Sequence, residues 1–159
     1  MGVVVLDYIR NPIVTEEHLQ KFASNDYYIE AWQKKRKWNW GAFWLNIIFL
    51  LYRKMYLAFF VYLVATVFFT IIFQNLNISR LGFELLFVLL LNVPLAFFID
   101  DIYLRHAEKK IEKIIKANPD VKLQEYHIAK AGGTSFFIPF TVLFVVPICL
   151  TMVYVNLFQ

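Results

Sequence analysis

Four acidic or amide side chains, Glu84, Asn92, Asp100 and Asp101, stand within long apolar runs or at their ends. An unpaired polar group is costly to bury there, so each is a candidate for function. Glu84 follows Arg80 by four residues, the spacing of a helical ion pair, and carrying a proton or cation is its other possible use. Asn92 comes two residues before Pro94, whose ring removes a backbone hydrogen bond and frees the Leu90 carbonyl; helix packing or kink repair is the expected use of the amide. Adjacent carboxylates such as Asp100-Asp101 can hold Mg²⁺ and, through it, a phosphate. Lipid-phosphate chemistry of that kind needs a second acidic cluster, which the sequence lacks. Asp101 also lies four residues before Arg105, so ion pairing with a basic helix is the expected role.

Metal chemistry has little support. His18, His106 and His127 are scattered, with no His-x-x-x-His or Glu-x-x-His pair, and a site built from His106, His127 and Asp101 would require a long loop to fold back. The single cysteine, Cys149, excludes an intrachain disulfide and a cysteine zinc site. Gly132-Gly133-Thr134-Ser135 could offer backbone N–H groups to a phosphate, but two glycines followed by a capping residue more often turn one helix into the next. With no catalytic constellation, neither an enzyme nor a cofactor or metal is expected.

Cationic residues carry the stronger signal. Lys34, Lys35, Arg36 and Lys37 abut Trp38 and Trp40, and Arg53-Lys54 follows the apolar segment that begins there. A second group, Arg105, Lys109, Lys110 and Lys113, belongs to a segment in which Tyr103, Ala107, Ile111, Ile114 and Ile115 recur at helical spacing. Such residues attract anionic headgroups at about 1 kcal/mol each near a bilayer surface. Nucleic acid is the competing anion, but the chain has no groove-reading or stacking module, and basic residues beside apolar spans are already required by orientation.

The elements that must position these groups are membrane helices. The chain is 60% hydrophobic with a mean hydropathy of +0.55, well above a soluble domain. Residues 55–73 hold no charge over about 29 Å of helix. Residues 81–99 and 136–158 are the second and third spans, the latter carrying Pro139 and Pro147. The polar turn between the first two makes them an antiparallel hairpin. Of the 16 Lys and Arg, Arg80 alone lies in that turn; the others precede residue 55 or fall between 103 and 130. The positive-inside rule then puts the N-terminus and the basic loop, residues 101–133, in the cytoplasm and the C-terminus outside. Residues 1–37 form a partly helical cytoplasmic segment ahead of a membrane domain, 38–159. They are too polar for a secretory signal, and Leu6 stands where a myristoylation site requires Ser or Thr. A helix is expected over 15–33 with Thr15 as N-cap, and a shorter one around 123–130. Asn77-Ile78-Ser79 reads as a glycosylation sequon, too close to the bilayer to carry a glycan.

Residues 38–52 are the exception. As a helix they cover about 22 Å, short of the roughly 30 Å hydrocarbon core, and basic residues flank both ends. A segment that dips into the cytoplasmic leaflet or packs under the spans is expected, with Trp38, Trp40 and Trp44 at headgroup depth and a fourth short span as the alternative.

Three local patterns resemble a family of small bacterial integral membrane proteins, domain of unknown function 2628. They are Trp38-Asn39-Trp40-Gly41-Ala42-Phe43, Tyr52-Arg53-Lys54-Met55-Tyr56 and Ala131-Gly132-Gly133-Thr134-Ser135; Tyr103-Leu104-Arg105-His106 with Lys109-Lys110-Ile111 is also similar. The resemblance covers roughly residues 26–135. It implies a bacterial inner-membrane location and brings no reaction, cofactor or partner. It departs at Leu45-Asn46-Ile47, where the family pattern reads like Phe-Gly-Pro, and that weakens the dipping reading.

The expectation is therefore an all-α integral membrane protein of three spans, a short dipping or interfacial helix and a basic amphipathic cytoplasmic helix. Its expected use is as an accessory or scaffold component that binds anionic lipid, a membrane-protein partner or further copies of itself. An oligomeric transporter or channel subunit with kinked spans is the alternative, and a lipid-acting enzyme a lesser one.

Overall fold

The computed structural model describes residues 8–74, 76, 79–145 and 147–148. Among these, every regular element is helical. Thr15 caps α1 (Glu16–Ala23) through a reciprocal pair: its hydroxyl accepts from the His18 N–H while the His18 ring accepts from the Thr15 N–H. Ser24 then adopts a left-handed conformation (φ 53°) and Asn25 caps α2 (Asp26–Gln33). The single helix expected over 15–33 is thus two, because a left-handed residue ends one helix and an amide cap starts the next.

Asn39 caps α3 (Trp40–Tyr52), its side-chain oxygen accepting from the Ala42 N–H at 2.9 Å. Within α3, Asn46 is non-helical (φ 33°, ψ −107°), and its side-chain oxygen takes the Ile47 N–H. Asparagine tolerates positive φ and can bond its own backbone, so it breaks the helix without a proline. The two ends of this bent segment then meet the same stretch of chain. Asn39 donates its backbone N–H to the Ala96 carbonyl at 3.0 Å, and the Arg53 guanidinium lies 5.4 Å from the Tyr103 ring. Ala96 and Tyr103 are separated by about 10 Å of helix.

Two helices are long and apolar enough to cross a membrane. One is α4 (Tyr56–Gln74). The other is a continuous helical run, Arg80–Ala117, made of α5 (Arg80–Phe87), a π-helical turn (Val88–Asn92) and α6 (Val93–Ala117). The wide turn sits immediately before Pro94, where the missing N–H disrupts regular bonding; the Val93 N–H reaches back five residues to the Val88 carbonyl. Asp120 caps α7 (Val121–Ala131), slightly longer than the helix expected around 123–130. Of the third expected span, 136–158, the described part is Phe136, α8 (Phe137–Phe140), a π-helical turn (Thr141–Val145) and residues 147–148. The rest of that span, with Cys149, lies outside the described residues, as does Asn77 of the sequon.

The basic segment corrects the expectation of a separate amphipathic helix within a loop spanning 101–133. It is the unbroken continuation of the second long helix to Ala117. Its apolar stripe, Tyr103, Leu104, Ala107 and Ile111, is enclosed by Leu19 and Phe22 of α1, Tyr28 and Trp32 of α2, and Ile128 of α7. These elements form a packed head at one end of the long helices. These four residues of the stripe face protein, while Ile114 and Ile115 further along it pack against the same core and stay partly exposed.

Candidate functional site at the junction of head and spans

Where α6 leaves its apolar stretch, the Asp100-Asp101 pair is divided between two jobs. Asp100 is buried. Its carboxylate accepts from the Asn39 amide at 2.7 Å, and its backbone carbonyl accepts from the Trp32 indole N–H at 2.9 Å. One aspartate therefore ties α2 and the start of α3 to α6. Asp101 faces outward and receives Arg10 at 2.6 Å and Arg105 at 2.9 Å. The Arg10 backbone N–H also donates to the buried Glu108 at 2.7 Å, fastening the N-terminal segment along α6.

Arg53, expected among the lipid- or partner-binding cations, is instead buried. Its guanidinium sits 4.0 Å from the Tyr28 ring centroid, with the Tyr52 and Tyr103 rings at 5.6 and 5.4 Å, and it donates to the Ala23 carbonyl at 3.3 Å. Burial pushes the Tyr28 phenol up to about 12 against the opposing effect of Arg53, and the buried Asp100 carboxylate also interacts electrostatically with that guanidinium. Lys54 is likewise internal in function: its ammonium donates to the Lys130 carbonyl at 3.2 Å and to that of Gly132. These carbonyls belong to the last turn of α7, where a cation is favoured. Both residues cement the head, because a charge that reads as surface in sequence can be enclosed once rings and carbonyls supply its partners.

The other expected cations are distributed differently. Arg36 stacks over the Tyr27 ring at 4.5 Å and Lys34 pairs with Glu30 at 3.1 Å. Lys35, Lys37, Lys109 and Lys113 are exposed and make no ion pair among the described residues, while Lys110 is half-buried. Arg10, Lys35 and Arg36 line a cleft of about 370 Å³ with Trp32 and the two aspartates. Trp38 packs edge-on to Trp40 and Phe97 at 5.4 and 5.0 Å, and Trp40 projects outward. Cations and tryptophans thus surround the junction, with Arg105 and Lys109 on the continuing face of α6.

The remaining candidates are engaged in structure. Glu84 pairs with Arg80 at 3.1 Å. Asn92 accepts from the Tyr62 hydroxyl at 2.7 Å, joining the two long helices. In the glycine turn, the N–H groups of Gly132, Gly133 and Ser135 go to the carbonyls of Ile128, Phe22 and Tyr52, which leaves no cradle of free donors for a phosphate. Among the described residues no group of three or more His, Cys, Asp or Glu is placed to hold a metal ion. His106 and His127 lie on different helices, α6 and α7, and no ligand set forms with Asp101.

No family model, curated protein or solved structure matches this chain.

Sequence reasoning missed Asn39, Arg10 and Trp32 as organising residues. Asn39 carried a usable signal, since an asparagine just before an apolar run is a helix N-cap signature. Its pairing with Asp100, 61 residues away, has no local signature.

Proposed function

We propose that the chain is a non-enzymatic membrane protein, a scaffold or accessory component, whose junction collar binds anionic lipid headgroups or a partner of like charge. Its seat is the bacterial cytoplasmic membrane, with the head and N-terminus cytoplasmic, residues 136–158 as a third span and the C-terminus outside. Residues 38–52 dip into the cytoplasmic leaflet and return. The dip is supported by both ends of the segment meeting α6 within about 10 Å of helix, against the roughly 30 Å a span requires. Membership of the domain of unknown function 2628 family belongs to the same proposal and rests on the aromatic and basic patterns quoted above.

The observation that carries the functional reading is the position of the exposed cations. Lys35 and Arg105 line two clefts that share Asp101, Lys37 directly precedes Trp38, and Lys109 follows Arg105 along α6, where apolar surface gives way to polar. That is headgroup depth for a chain anchored by α4 and the second long helix. Reconstitution with brominated lipids tests it through tryptophan fluorescence. Brominated phosphatidylglycerol is expected to quench more strongly than brominated phosphatidylcholine, with the difference shrinking when Lys35, Lys37, Arg105 and Lys109 are changed to Gln. Equal quenching by both lipids would remove the lipid reading.

The π-helical turn before Pro94 favours a second reading, an oligomeric transporter or channel subunit. Solute flux in proteoliposomes that vanished in Glu84→Gln would support it. The lipid-enzyme reading loses its main motive because Asp100 is committed to Asn39.

A further inference from the structure

A groove of about 690 Å³ runs between α4 and the second long helix. Ala58 and Ala65, two turns apart on one face, lie on its α4 wall with Leu57, Val61 and Tyr62, and Leu91, Pro94 and Phe98 form part of the opposite wall. The short side chains of Ala58 and Ala65 leave the space between the helices unfilled. The Tyr62–Asn92 hydrogen bond ties them together toward the deep end.

The groove is polarised. Its charged lining residues, Asp101, Arg105 and Lys109, all lie at the head end. Asp101 is already held by Arg10 and Arg105, one to each carboxylate oxygen, whereas Lys109 has no ion-pair partner among the described residues. Three cations against one carboxylate leave this mouth positive. The apolar lining is also short: Met55 to Ala65 on α4 is about 15 Å of helix, and Leu90 to Ile102 opposite is about 18 Å. One leaflet of a bilayer with a roughly 30 Å core has that depth.

We propose that this groove holds one anionic phospholipid of the head-side leaflet, an acyl chain along Ala58, Ala65 and Pro94 and the phosphate between Arg105 and Lys109. The inference rests on reading the junction as headgroup depth. A helix from a second copy would follow the full length of α4 rather than half of it, and would leave the cationic mouth without an anion. A lipid matches both the length and the charge.

Native mass spectrometry of the full chain, with phosphatidylglycerol and phosphatidylcholine titrated in separately, tests the assignment. The wild type is expected to retain one phosphatidylglycerol per chain. Affinity should fall roughly 30-fold in Arg105→Gln with Lys109→Gln, from two lost headgroup-level cations. Ala58→Leu with Ala65→Leu fills the groove and leaves the collar intact. It should abolish the retained lipid while tryptophan quenching still favours the brominated anionic lipid. Unchanged retention in the filled variant, equal retention of the two lipids, or a lipid-free dimer would overturn the groove assignment. Loss of anionic preference in the quenching assay as well would remove the collar reading with it.

Discussion

Val64 and Ile111 are both β-branched aliphatic residues in the interior of a helix, yet Val64 is 67% exposed and Ile111 is fully enclosed. The contrast extends to their surroundings. On α4, Leu57, Val61, Val64 and Phe68 all present large apolar surface outward, while in the head Leu19, Phe22, Tyr103 and Ile128 bury theirs against one another. Equal hydrophobicity is arranged in two ways: outward on α4 and inward in the head. With its apolar outer face, α4 is long and apolar enough to cross a membrane. The head supplies its own interior and turns most of its charges outward, enclosing Arg53, Asp100 and Glu108.

The sharpest way to break this comparison is a charge on the outward face of α4. Val64→Lys is expected to cost about 3 kcal/mol of membrane insertion, read as loss of the protein from the alkali-resistant membrane fraction. A water-facing residue would tolerate it. In the head the matching perturbation is steric. A Cβ on Gly132 would lie 2.0 Å from the Phe22 carbonyl oxygen, where α7 meets the end of α1. Gly132→Ala is expected to destabilise the head by about 2–3 kcal/mol, seen as faster amide exchange in α1 and α7 with α4 unaffected.

Asn39→Ala probes the seam between the two regions. It removes the α3 cap and leaves the buried Asp100 carboxylate without its amide donor, at a cost of about 2 kcal/mol in detergent unfolding. Asp100→Asn retains an acceptor for the Asn39 amide and should cost less; equal losses would argue against that bond. Acid has the smallest effect. Burial holds the His18 imidazole below its ordinary value of 6.5, so the unfolded chain takes up protons first and stability falls as the pH drops below about 6.5. His106, packed on Phe22 of α1 and pushed down by burial to about 4, adds to the same slope; His18→Gln should remove only the smaller part of it, measured by α1 exchange against pH.

Much of this architecture was legible in sequence. Apolar length marks the two long helices, Thr15 marks the start of α1, and the spacing of Tyr103, Ala107 and Ile111 marks a helix with one apolar face. What that face meets was not legible, because a stripe built for lipid and a stripe built for α1 and α7 have the same period. The Asn46 break was hidden for a different reason: asparagine reaches positive φ at modest cost and carries no fixed signal of doing so. Arg53 was misplaced because, Tyr52 aside, its partners (the Tyr28 and Tyr103 rings and the Ala23 carbonyl) come from parts of the chain far apart in sequence. Of the candidate site residues, Asp101–Arg105 and Arg80–Glu84 were readable as local pairs; Asn39–Asp100 needed the fold.

The most direct test of the membrane account is the sidedness of residue 37, just before the bent segment. Cys149 would be changed to Ser, and Lys37→Cys, Lys122→Cys and Ser79→Cys made separately in that background. An impermeant maleimide would then be applied to intact and to permeabilised cells. The account predicts that position 79 reacts in intact cells and that positions 37 and 122 react only after permeabilisation, since both ends of the α3 segment lie on the head's side. Labelling of position 37 from outside, with 122 still protected, would mean that residues 38–52 cross the bilayer and would contradict the account.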